Sequence, residues 1–470
     1  MNEALKEKIK NIKNKIRWKI PKFIINFYHY IFALLGAIYF KFPSKEIIVI
    51  GVTGTKGKTT TCYLIYTLLS KLGIKTALSS SMYFYFGDEK IENKSRITMP
   101  GRWYLQEFLR NAVNKGCEIA VIEATSEGLM QNRHKFIDFD ICIFLNLHPE
   151  HIEHHGSFDN YKKSKGKLFE NLLKGSRKYF KGKIVKKTII ANSDDFHSDY
   201  YLSFPSERKI TFGLEGNPEK RDHLQILKYK LTTKGSFFVL NEDFDNKKET
   251  KYFTKFIGKQ NLYNILASLS VLKALEIPIK SVKDILKDIE PLPGHFEIVQ
   301  GKGFKVIIDY AHTPDSIEEL YKNIWSIFKP KRLLCLISSA GGLRDKWKRP
   351  EIGKIAAKYC NEIVISNEDP FDEDPLKIMK EIEYGVKNYL AEYEFQKPYK
   401  IIEDRKEAIG YLIENAQKND IIVLIGKGAE PTIETKEGSI PWNEKEVVLE
   451  FLEKIKSKKN KNENSRSSIK

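Results

Sequence analysis

The sequence has little cysteine, and its cysteines follow no framework pattern. Five are scattered over 470 residues, an odd number without the paired spacing of a zinc site or of a disulfide scaffold. Several lie in apolar runs, so we expect reduced core residues in a cytosolic protein, with a catalytic thiol as the alternative. The five are Cys62, Cys117, Cys142, Cys335 and Cys360.

Negative charge is scarce at both ends of the chain. Residues 1–22 carry eight Lys and Arg against two glutamates, and residues 454–470 carry seven against one. These ends supply most of the formal net charge of +18, and the body between them is only mildly basic. No segment interleaves basic and aromatic residues, so we expect no nucleic-acid partner. The polar composition of residues 454–470 predicts a disordered tail.

Apolar runs long enough for a comfortable membrane span are also lacking. The longest covers residues 23–40 and is interrupted by Asn26 and His29, and no small-residue cleavage site marks a signal peptide. Three interpretations stay open: a helix packed on the body, an interfacial helix whose cationic flank favours anionic lipid, or a true span. In each case we expect a cytoplasmic body, and in the interfacial interpretation residues 1–40 contact the inner face of the membrane.

What is present is an alternation of strands and helices that begins at residue 47. Such alternation predicts an α/β fold with a mainly parallel central sheet. Pro291 and the Pro293-Gly294 pair mark a boundary, and a second, Rossmann-like α/β unit begins near Lys305. The predicted parts are a helical arm at 1–46, a central domain at 47–293, a C-terminal domain at 294–453 and the tail at 454–470.

The central domain opens with IIVIGVTGTKGKTTT at residues 47–61. A β-branched run ends in a glycine-rich turn, and a helix-compatible stretch follows, so the turn offers free N–H groups and a helix N-terminus to phosphate. Lys58 is placed to reach the outer phosphates of a nucleotide, and the Thr59 hydroxyl to hold Mg²⁺. The expected nucleotide-binding residues are Gly54, Thr55, Lys56, Gly57, Lys58, Thr59 and Thr60.

The glycine spacing differs from the common phosphate loop, because Val52 stands where that loop has its first glycine. Glycines 51, 54 and 57 instead give G-x-x-G-x-x-G-K-T-T, which resembles the Mur ligase family. That family consists of ATP-dependent enzymes that join an amino acid to a carboxylate, mostly in bacterial cell-wall peptide synthesis. The resemblance implies ATP, two Mg²⁺, an acyl-phosphate intermediate and closure of two α/β domains.

Three further residues resemble the catalytic and metal-binding positions of this family. Glu123 ends the strand in VIEATSEGL, and His151 follows the strand in NLHPEHIEHHG. Lys165 matches the lysine of Y-x-x-x-K, which CO₂ carbamylates in the family, turning a cation into a fixed anion beside the metal. The resemblance therefore implies Thr59, Glu123, His151 and carbamylated Lys165 as metal ligands.

The segments ITMPG and TSEGLMQNR resemble the acceptor-binding motifs of the ligases that add the third residue of the peptide. Thr98, Thr125, Gln131 and Arg133 match residues that contact the muramoyl substrate. Met99 replaces a threonine and Glu127 replaces a histidine of the family pattern. These departures weaken the substrate assignment more than the reaction type.

The nucleotide and the amino acid have expected contacts in later motifs. Asn264 lies in GKQNLYN and matches an adenine-side asparagine, while Asp309 and His312, in DYAHTPD, match residues that face the nucleotide. Phe371 replaces the arginine that grips diaminopimelate in family members that use it, so lysine or another amino acid remains open. The residues expected to bind the substrates on this side are Arg344, Asp369, Gly426 and Glu430.

The resemblance covers residues 47–453, whereas the third-residue ligases begin with a further domain that cradles the uridine diphosphate. We expect an acceptor that is held by its peptide and sugar, or one that is linked to lipid.

The favoured function is addition of an amino acid to a muramoyl-peptide-like carboxylate. The alternatives are a ligase for another polymer, such as polyglutamate or cyanophycin, and a non-catalytic membrane-associated nucleotide-binding protein. The oligomeric state stays open.

Overall fold

Two α/β units form the protein, each built on its own sheet. The computed structural model describes residues 21–81, 83–93, 97–150, 152–215, 222–241, 249–342 and 344–467. The basic residues 1–20 and His151 lie outside these ranges. The predicted α/β class is confirmed, since each sheet has a parallel centre with helices on its faces.

An apolar helix, α1, precedes the first sheet and covers Lys22–Tyr39. It lies against helix α3 (Arg102–Asn114), and Arg110 Nε donates to the carbonyl of Phe40 at 2.9 Å. Among the described residues, no helix combines the length and the apolar character needed to cross a bilayer. The packed-helix interpretation is therefore confirmed for one face of α1.

The first sheet has eleven strands in the order β13-β12-β11-β10-β9-β6-β1-β5-β2-β3-β4. Its centre is parallel, and antiparallel pairs extend it at both edges. The strands are β1 Ile48–Thr53, β2 Thr76–Ser79, β3 Tyr83–Phe86, β4 Glu89–Glu92, β5 Ile119–Glu123, β6 Ile141–Phe144, β9 Thr188–Asn192, β10 Arg208–Gly213, β11 His223–Thr232, β12 Gly235–Asn241 and β13 Glu249–Thr254, and a separate hairpin pairs β7 Tyr179–Phe180 with β8 Lys183–Ile184.

Helices cover both faces of this sheet, because its central strands are buried and apolar throughout. Two long helices, α2 and α8, pack together on one face, and α3 lies on the other. The helices after α1 are α2 Lys58–Lys71, α3, α4 Ser126–Met130, α5 Ile152–His155, α6 Phe158–Gly166, α7 Ser198–Leu202, α8 Lys259–Ala274 and α9 Lys283–Asp288.

The second sheet has six strands in the order β14-β15-β19-β16-β17-β18. Only β14 runs antiparallel, so the unit is Rossmann-like as predicted. Its strands are β14 Glu297–Gln300, β15 Lys305–Asp309, β16 Leu333–Ile337, β17 Glu362–Ile365, β18 Tyr399–Ile401 and β19 Ile421–Ile425, followed by the hairpin β20 Thr432–Thr435 and β21 Gly438–Pro441. Its helices are α10 Pro314–Phe328, α11 Lys348–Tyr359, α12 Pro375–Glu392, α13 Arg405–Asn415 and α14 Glu444–Ser467.

Two expectations from the sequence are wrong. Cys335 on β16 and Cys360 just before β17 form a disulfide, because two neighbouring parallel strands bring both side chains to one core; the other three cysteines are free and buried. The predicted disordered tail is helical as far as Ser467, since α14 continues through residues 454–467. Lysine and glutamate are good helix formers, and the Glu450–Lys454 pair lies at the favourable i, i+4 spacing.

The second domain contains a buried ion pair that provides a stability prediction. Arg405 Nη2 lies 2.6 Å from Glu444 Oε1, with both side chains almost fully buried. Replacing Arg405 with methionine leaves an uncompensated buried carboxylate, so unfolding free energy should fall by about 3–5 kcal/mol. Urea unfolding followed by circular dichroism measures this. The matched control is Lys406→Met, which removes an exposed pair with Glu450 and should change little; equal effects of the two substitutions would contradict the prediction.

Candidate active site

The phosphate loop connects β1 to α2 as the sequence predicts. Gly57 has φ +77 at the helix N-terminus, a region that suits glycine. A β-carbon there would clash with the Asn264 side chain, and Thr61 Oγ1 also lies 3.3 Å from Asn264 Oδ1. Asn264 on α8, the residue expected on the adenine side, is therefore brought to the base of the loop.

The loop is fixed by Asn146, which lies two residues after the end of the neighbouring strand β6. Its side-chain oxygen accepts from Lys56 N at 2.9 Å, and its amide donates to Lys56 O at 3.1 Å. Its carbonyl accepts from Thr55 N at 2.9 Å. These three bonds tie the backbone of Thr55 and Lys56 to the residue that follows β6.

Thr59 and Glu123 form the carboxylate side of the site. The Thr59 hydroxyl donates to both carboxylate oxygens of Glu123, at 3.0 and 3.1 Å. Burial raises the pKa of Glu123, while Lys58 and the Thr59 hydrogen bond partly offset this. The parallel pairing of β1 with β5 brings the two residues together, because both strands end at the same sheet edge.

Lys165 reaches the opposite side of the loop from α6. Its Nζ donates to the carbonyl of Gly54 at 2.8 Å and lies over the Tyr161 ring. The side chain is 2% exposed, and burial, together with the nearby Lys58 cation, holds the pKa of Lys165 well below its usual value. A buried lysine with a depressed pKa has a reactive neutral amine, which is the form that combines with CO₂.

His151, the remaining expected metal ligand, lies outside the described residues. Its neighbour Glu150 is described and interacts electrostatically with Lys165 and Tyr161. Within the described part of the chain, no three His, Cys, Asp or Glu side chains form a metal centre. Thr59 and Glu123 supply oxygen donors, which are the kind that Mg²⁺ prefers.

The two domains meet at the phosphate loop. Lys56 pairs with Asp315 at the start of α10, and His148 Nδ1 lies 3.5 Å from the same carboxylate. His312 Nε2 lies 3.2 Å from Glu150 Oε1. The expected nucleotide-facing residue His312 is thus at the cleft between the domains.

Asp309, the other residue expected to face the nucleotide, is bonded to the backbone of its own domain. Its two carboxylate oxygens accept backbone N–H bonds from Ala311 and Phe296, at 2.8 and 2.7 Å. Burial raises the pKa of Asp309 to about 6. The carboxylate therefore shapes the turn that presents His312.

The expected acceptor-binding residues lie near one another at the N-terminal side of the cleft. Arg133 Nε and Nη2 donate to Gln131 Oε1 at 3.2 and 2.8 Å, and Nη1 donates to the carbonyl of Met99, next to Thr98. Thr125 caps α4 by accepting from Gly128 N at 3.1 Å. The structure also adds a second guanidinium: Arg102 Nη2 donates to the carbonyl of Gln131 at 3.1 Å.

The expected amino-acid residues are arranged around Lys427. Its Nζ donates to both oxygens of Asp369, at 2.8 and 2.9 Å, and to Glu430 at 2.6 Å. Gly426, with φ +100, precedes it in the loop after β19. Arg344 is exposed and shares a small cleft with Glu150 and His312, while Phe371 packs against Gly342.

Several residues that shape the site were not predicted from the sequence. Asn146, Tyr161, Asp315 and Lys348 all hold it together, the last by donating to the His312 carbonyl at 3.3 Å. A polar residue at the end of a buried strand was the available signal for Asn146. Asp315 and Lys348 depend on domain packing, which no local pattern encodes.

A phosphate loop, a strand-end carboxylate and a buried lysine at the cleft between two α/β domains define an ATP-dependent ligase. Residues 52–272 match the Mur ligase middle domain, and residues 294–428 match the Mur ligase, glutamate ligase domain. The chain belongs to the Mur ligase family, whose members use ATP and Mg²⁺.

Curated relatives carry one name in several bacteria. The UDP-N-acetylmuramoyl-L-alanyl-D-glutamate–2,6-diaminopimelate ligase of Caldanaerobacter subterraneus subsp. tengcongensis is 33% identical over 421 residues, 89% of this chain and 81% of that enzyme. The corresponding ligase 1 of Clostridium acetobutylicum is 35% identical over 426 residues, 90% of this chain and 82% of that enzyme.

Solved structures share the fold at lower identity. The MurF ligase from Thermotoga maritima in complex with ADP has a TM-score of 0.63 at 18% identity, covering 91% of this chain and 84% of that one. A UDP-N-acetylmuramoyl-L-alanyl-D-glutamate–2,6-diaminopimelate ligase has a TM-score of 0.59 at 24% identity, covering 87% and 78%. These similarities support the two-domain architecture.

Proposed function

We propose that this protein joins an amino acid to the carboxylate of a muramoyl peptide in peptidoglycan precursor synthesis, at the expense of ATP. The observation that carries this proposal is the convergence of Lys58, the Thr59–Glu123 pair and Lys165 on one loop. The names of the curated relatives support the same substrate class. In the first step an acceptor carboxylate oxygen attacks the γ-phosphorus and ADP leaves; in the second the amine attacks the acyl carbon and phosphate leaves.

The protein contributes mainly positioning and charge in the first step. Lys58 Nζ donates to the Thr55 carbonyl at 2.9 Å, which keeps the ammonium at the loop, where it would neutralise the outer phosphates. Bound Mg²⁺ neutralises phosphate charge and orients the transferred group. Thr59 and Glu123 would hold one ion, and we propose His151 as a further ligand.

Lys165 is proposed to act as its carbamate. The neutral amine that burial favours attacks CO₂, a C–N bond forms and a proton leaves, giving a fixed anion at the end of α6. Carbamylated Lys165 would then be a ligand for a second Mg²⁺, which would supply positive charge to the transferred phosphoryl group.

The acceptor is proposed to lie along Thr98, Thr125, Gln131 and Arg133. Neither Arg102 nor Arg133 has a carboxylate partner within hydrogen-bonding distance among the described residues. Burial lowers the pKa of both guanidinium groups, and repulsion from Arg133 lowers that of Arg102 further, whereas Glu127 partly offsets the effect on Arg133. An anionic acceptor would relieve this repulsion and gain charge-assisted hydrogen bonds.

The amino acid is proposed to bind in the C-terminal domain near Asp369, Gly426 and Glu430. Phe371 offers an apolar ring where a guanidinium would bind a second carboxylate. Asp369 and Glu430 both pair with Lys427, which leaves one net negative charge among the three side chains, and this favours a cationic end of the amino acid. We therefore propose L-lysine or another amino acid with a cationic side chain as the substrate.

A screen of amino acids with a muramoyl dipeptide acceptor tests this assignment. We expect a product of the lysine adduct mass with ADP released, and at least about tenfold lower turnover with meso-diaminopimelate, because its distal carboxylate lacks a cationic partner. A matched Phe371→Arg variant should move the preference towards diaminopimelate. Faster turnover of diaminopimelate by the unaltered protein would contradict the assignment.

The same assay separates ligation from simple nucleotide binding. Phosphate release should depend on both the acceptor and the amino acid, because the acyl phosphate accumulates without an amine. ATP affinity without that dependence would indicate a binding protein. Product formed with a glutamate polymer in place of the muramoyl dipeptide would indicate a ligase for another polymer.

A further inference from the structure

Helix α1 buries small side chains and exposes large apolar ones. A helix that only packs onto a protein body usually buries its large apolar side chains. Its buried positions carry the small residues Ala33, Gly36 and Ala37. A β-carbon at Gly36 would lie 3.4 Å from the Trp103 Cα of α3, so the two helices approach closely through small side chains. Tyr30 and Tyr39 still contact Phe136 and Trp103 of the body, while other large apolar side chains of α1 lie away from it.

Those large side chains form a stripe along the opposite side of α1. The stripe consists of Ile24, Phe27, Tyr28, Leu35 and Ile38, and Tyr39, whose ring also contacts Trp103, lies at its edge. The spacing of three, four and seven residues places them on one face of a helix. Phe27 is 66% exposed and Ile38 53% exposed, so a continuous apolar strip remains in water. Exposed apolar surface of this extent marks an interaction site.

The charge of the adjoining chain indicates what covers the stripe. Residues 1–22 lead directly into α1 and carry eight Lys and Arg against two glutamates. An anionic partner that also accepts apolar side chains complements both features. A lipid bilayer surface with anionic headgroups has this chemistry.

The stripe does not extend into a span. Among the described residues no helix is long and apolar enough to cross a membrane, and the other face of α1 is occupied by α3. Tyrosines 28 and 39 add polar tips to the apolar strip, as is common for side chains at the headgroup level. The helix is therefore suited to lie in the plane of the interface.

We propose that α1 and the basic segment before it bind the protein to an anionic bilayer surface, with the apolar stripe inserted among the headgroups. The segment after the proposed acceptor-binding residue Gln131 contacts α1. Asn132 Nδ2 is 3.5 Å from the Asn26 carbonyl, and the rings of Tyr30 and Phe136 are 5.1 Å apart. If the proposed function holds, binding places the acceptor site beside the membrane, within reach of a lipid-linked acceptor.

Vesicle cosedimentation of the full chain tests the proposal without any turnover. Vesicles of phosphatidylcholine alone are compared with vesicles that also contain phosphatidylglycerol. We expect binding to the anionic vesicles and weaker binding at high salt, because the basic segment is screened. Replacing Phe27, Leu35 and Ile38 with serine should weaken partitioning roughly a hundredfold, because three inserted apolar side chains are lost.

A matched control carries three equally exposed rings on the C-terminal domain. The variant Tyr384→Ser, Tyr393→Ser and Phe395→Ser, at positions 62, 51 and 48% exposed, should bind vesicles as the unaltered protein does. Circular dichroism and ATP binding show that both variants are folded.

Three results would overturn the proposal. They are absence of vesicle binding, equal loss in both triple variants, and a dimer in light scattering that only the α1 variant abolishes, since the last would make the stripe an interface between copies. Because the readout is binding, each result leaves the proposed ligase activity to be judged by its own assay.

Discussion

Replacing Lys58 with alanine is expected to reduce product formation by at least about a thousandfold. The activity that remains should still require ATP. Lys58 Nζ is held at the loop by the Thr55 carbonyl and is the one lysine of α2 at its N-terminal end. Without it, the charge that develops on the transferred phosphoryl group loses its nearest cation. Initial rates of phosphate release and of product mass, at saturating substrates, measure the effect.

A control on the same helix separates charge from folding. Lys71 lies in the last turn of α2, exposed and far along the helix from the loop. Lys71→Ala should keep full turnover, and circular dichroism should show the same fold for both variants. Unchanged turnover in Lys58→Ala would remove the proposed mechanism.

Replacing Lys165 with arginine is the second substitution of large expected effect. Arginine keeps a positive charge but forms no carbamate, so we expect a loss of about a hundredfold or more in turnover. Glutamate at the same position supplies a fixed anion and should recover part of the activity. The exposed Lys163 on the same helix is the matched control, and Lys163→Arg should be silent.

The pKa of Lys165 gives this prediction a pH dependence. Burial and Lys58 lower that pKa, so the neutral amine becomes abundant at a lower pH than for a free lysine. Activity should therefore rise as pH increases through the lowered pKa, and added bicarbonate should raise it further on the acid side. Intact mass under bicarbonate should show one added CO₂. Full activity in Lys165→Arg, without dependence on bicarbonate, would contradict the carbamate.

The site was most predictable where a single continuous segment forms both the local structure and the expected binding residues. Residues 47–61 encode a strand, a turn and a helix start, so the loop and its neighbours Lys58 and Thr59 were predictable from local pattern alone. Glu123 and Lys165 became predictable through the resemblance, and parallel strand pairing explains why they converge.

Features that depend on packing were not predictable. The Cys335–Cys360 disulfide requires two strands to be neighbours, and the Lys56–Asp315 contact requires the two domains to meet. Neither contact can be predicted from the spacing of residues along the chain. The tail was misjudged for another reason: the composition of residues 454–467 fits both a disordered segment and a solvated helix, and α14 continues from a folded start.

The central claim is that ATP bound at the phosphate loop phosphorylates the acceptor carboxylate before the amine attacks. Transfer of a heavy oxygen isotope from a labelled acceptor carboxylate tests it most directly, with the amino acid that the screen identifies. We predict that each phosphate released carries one labelled oxygen, because the acyl phosphate keeps the carboxylate oxygen when it collapses. Phosphate that carries oxygen only from ATP and water would contradict the account.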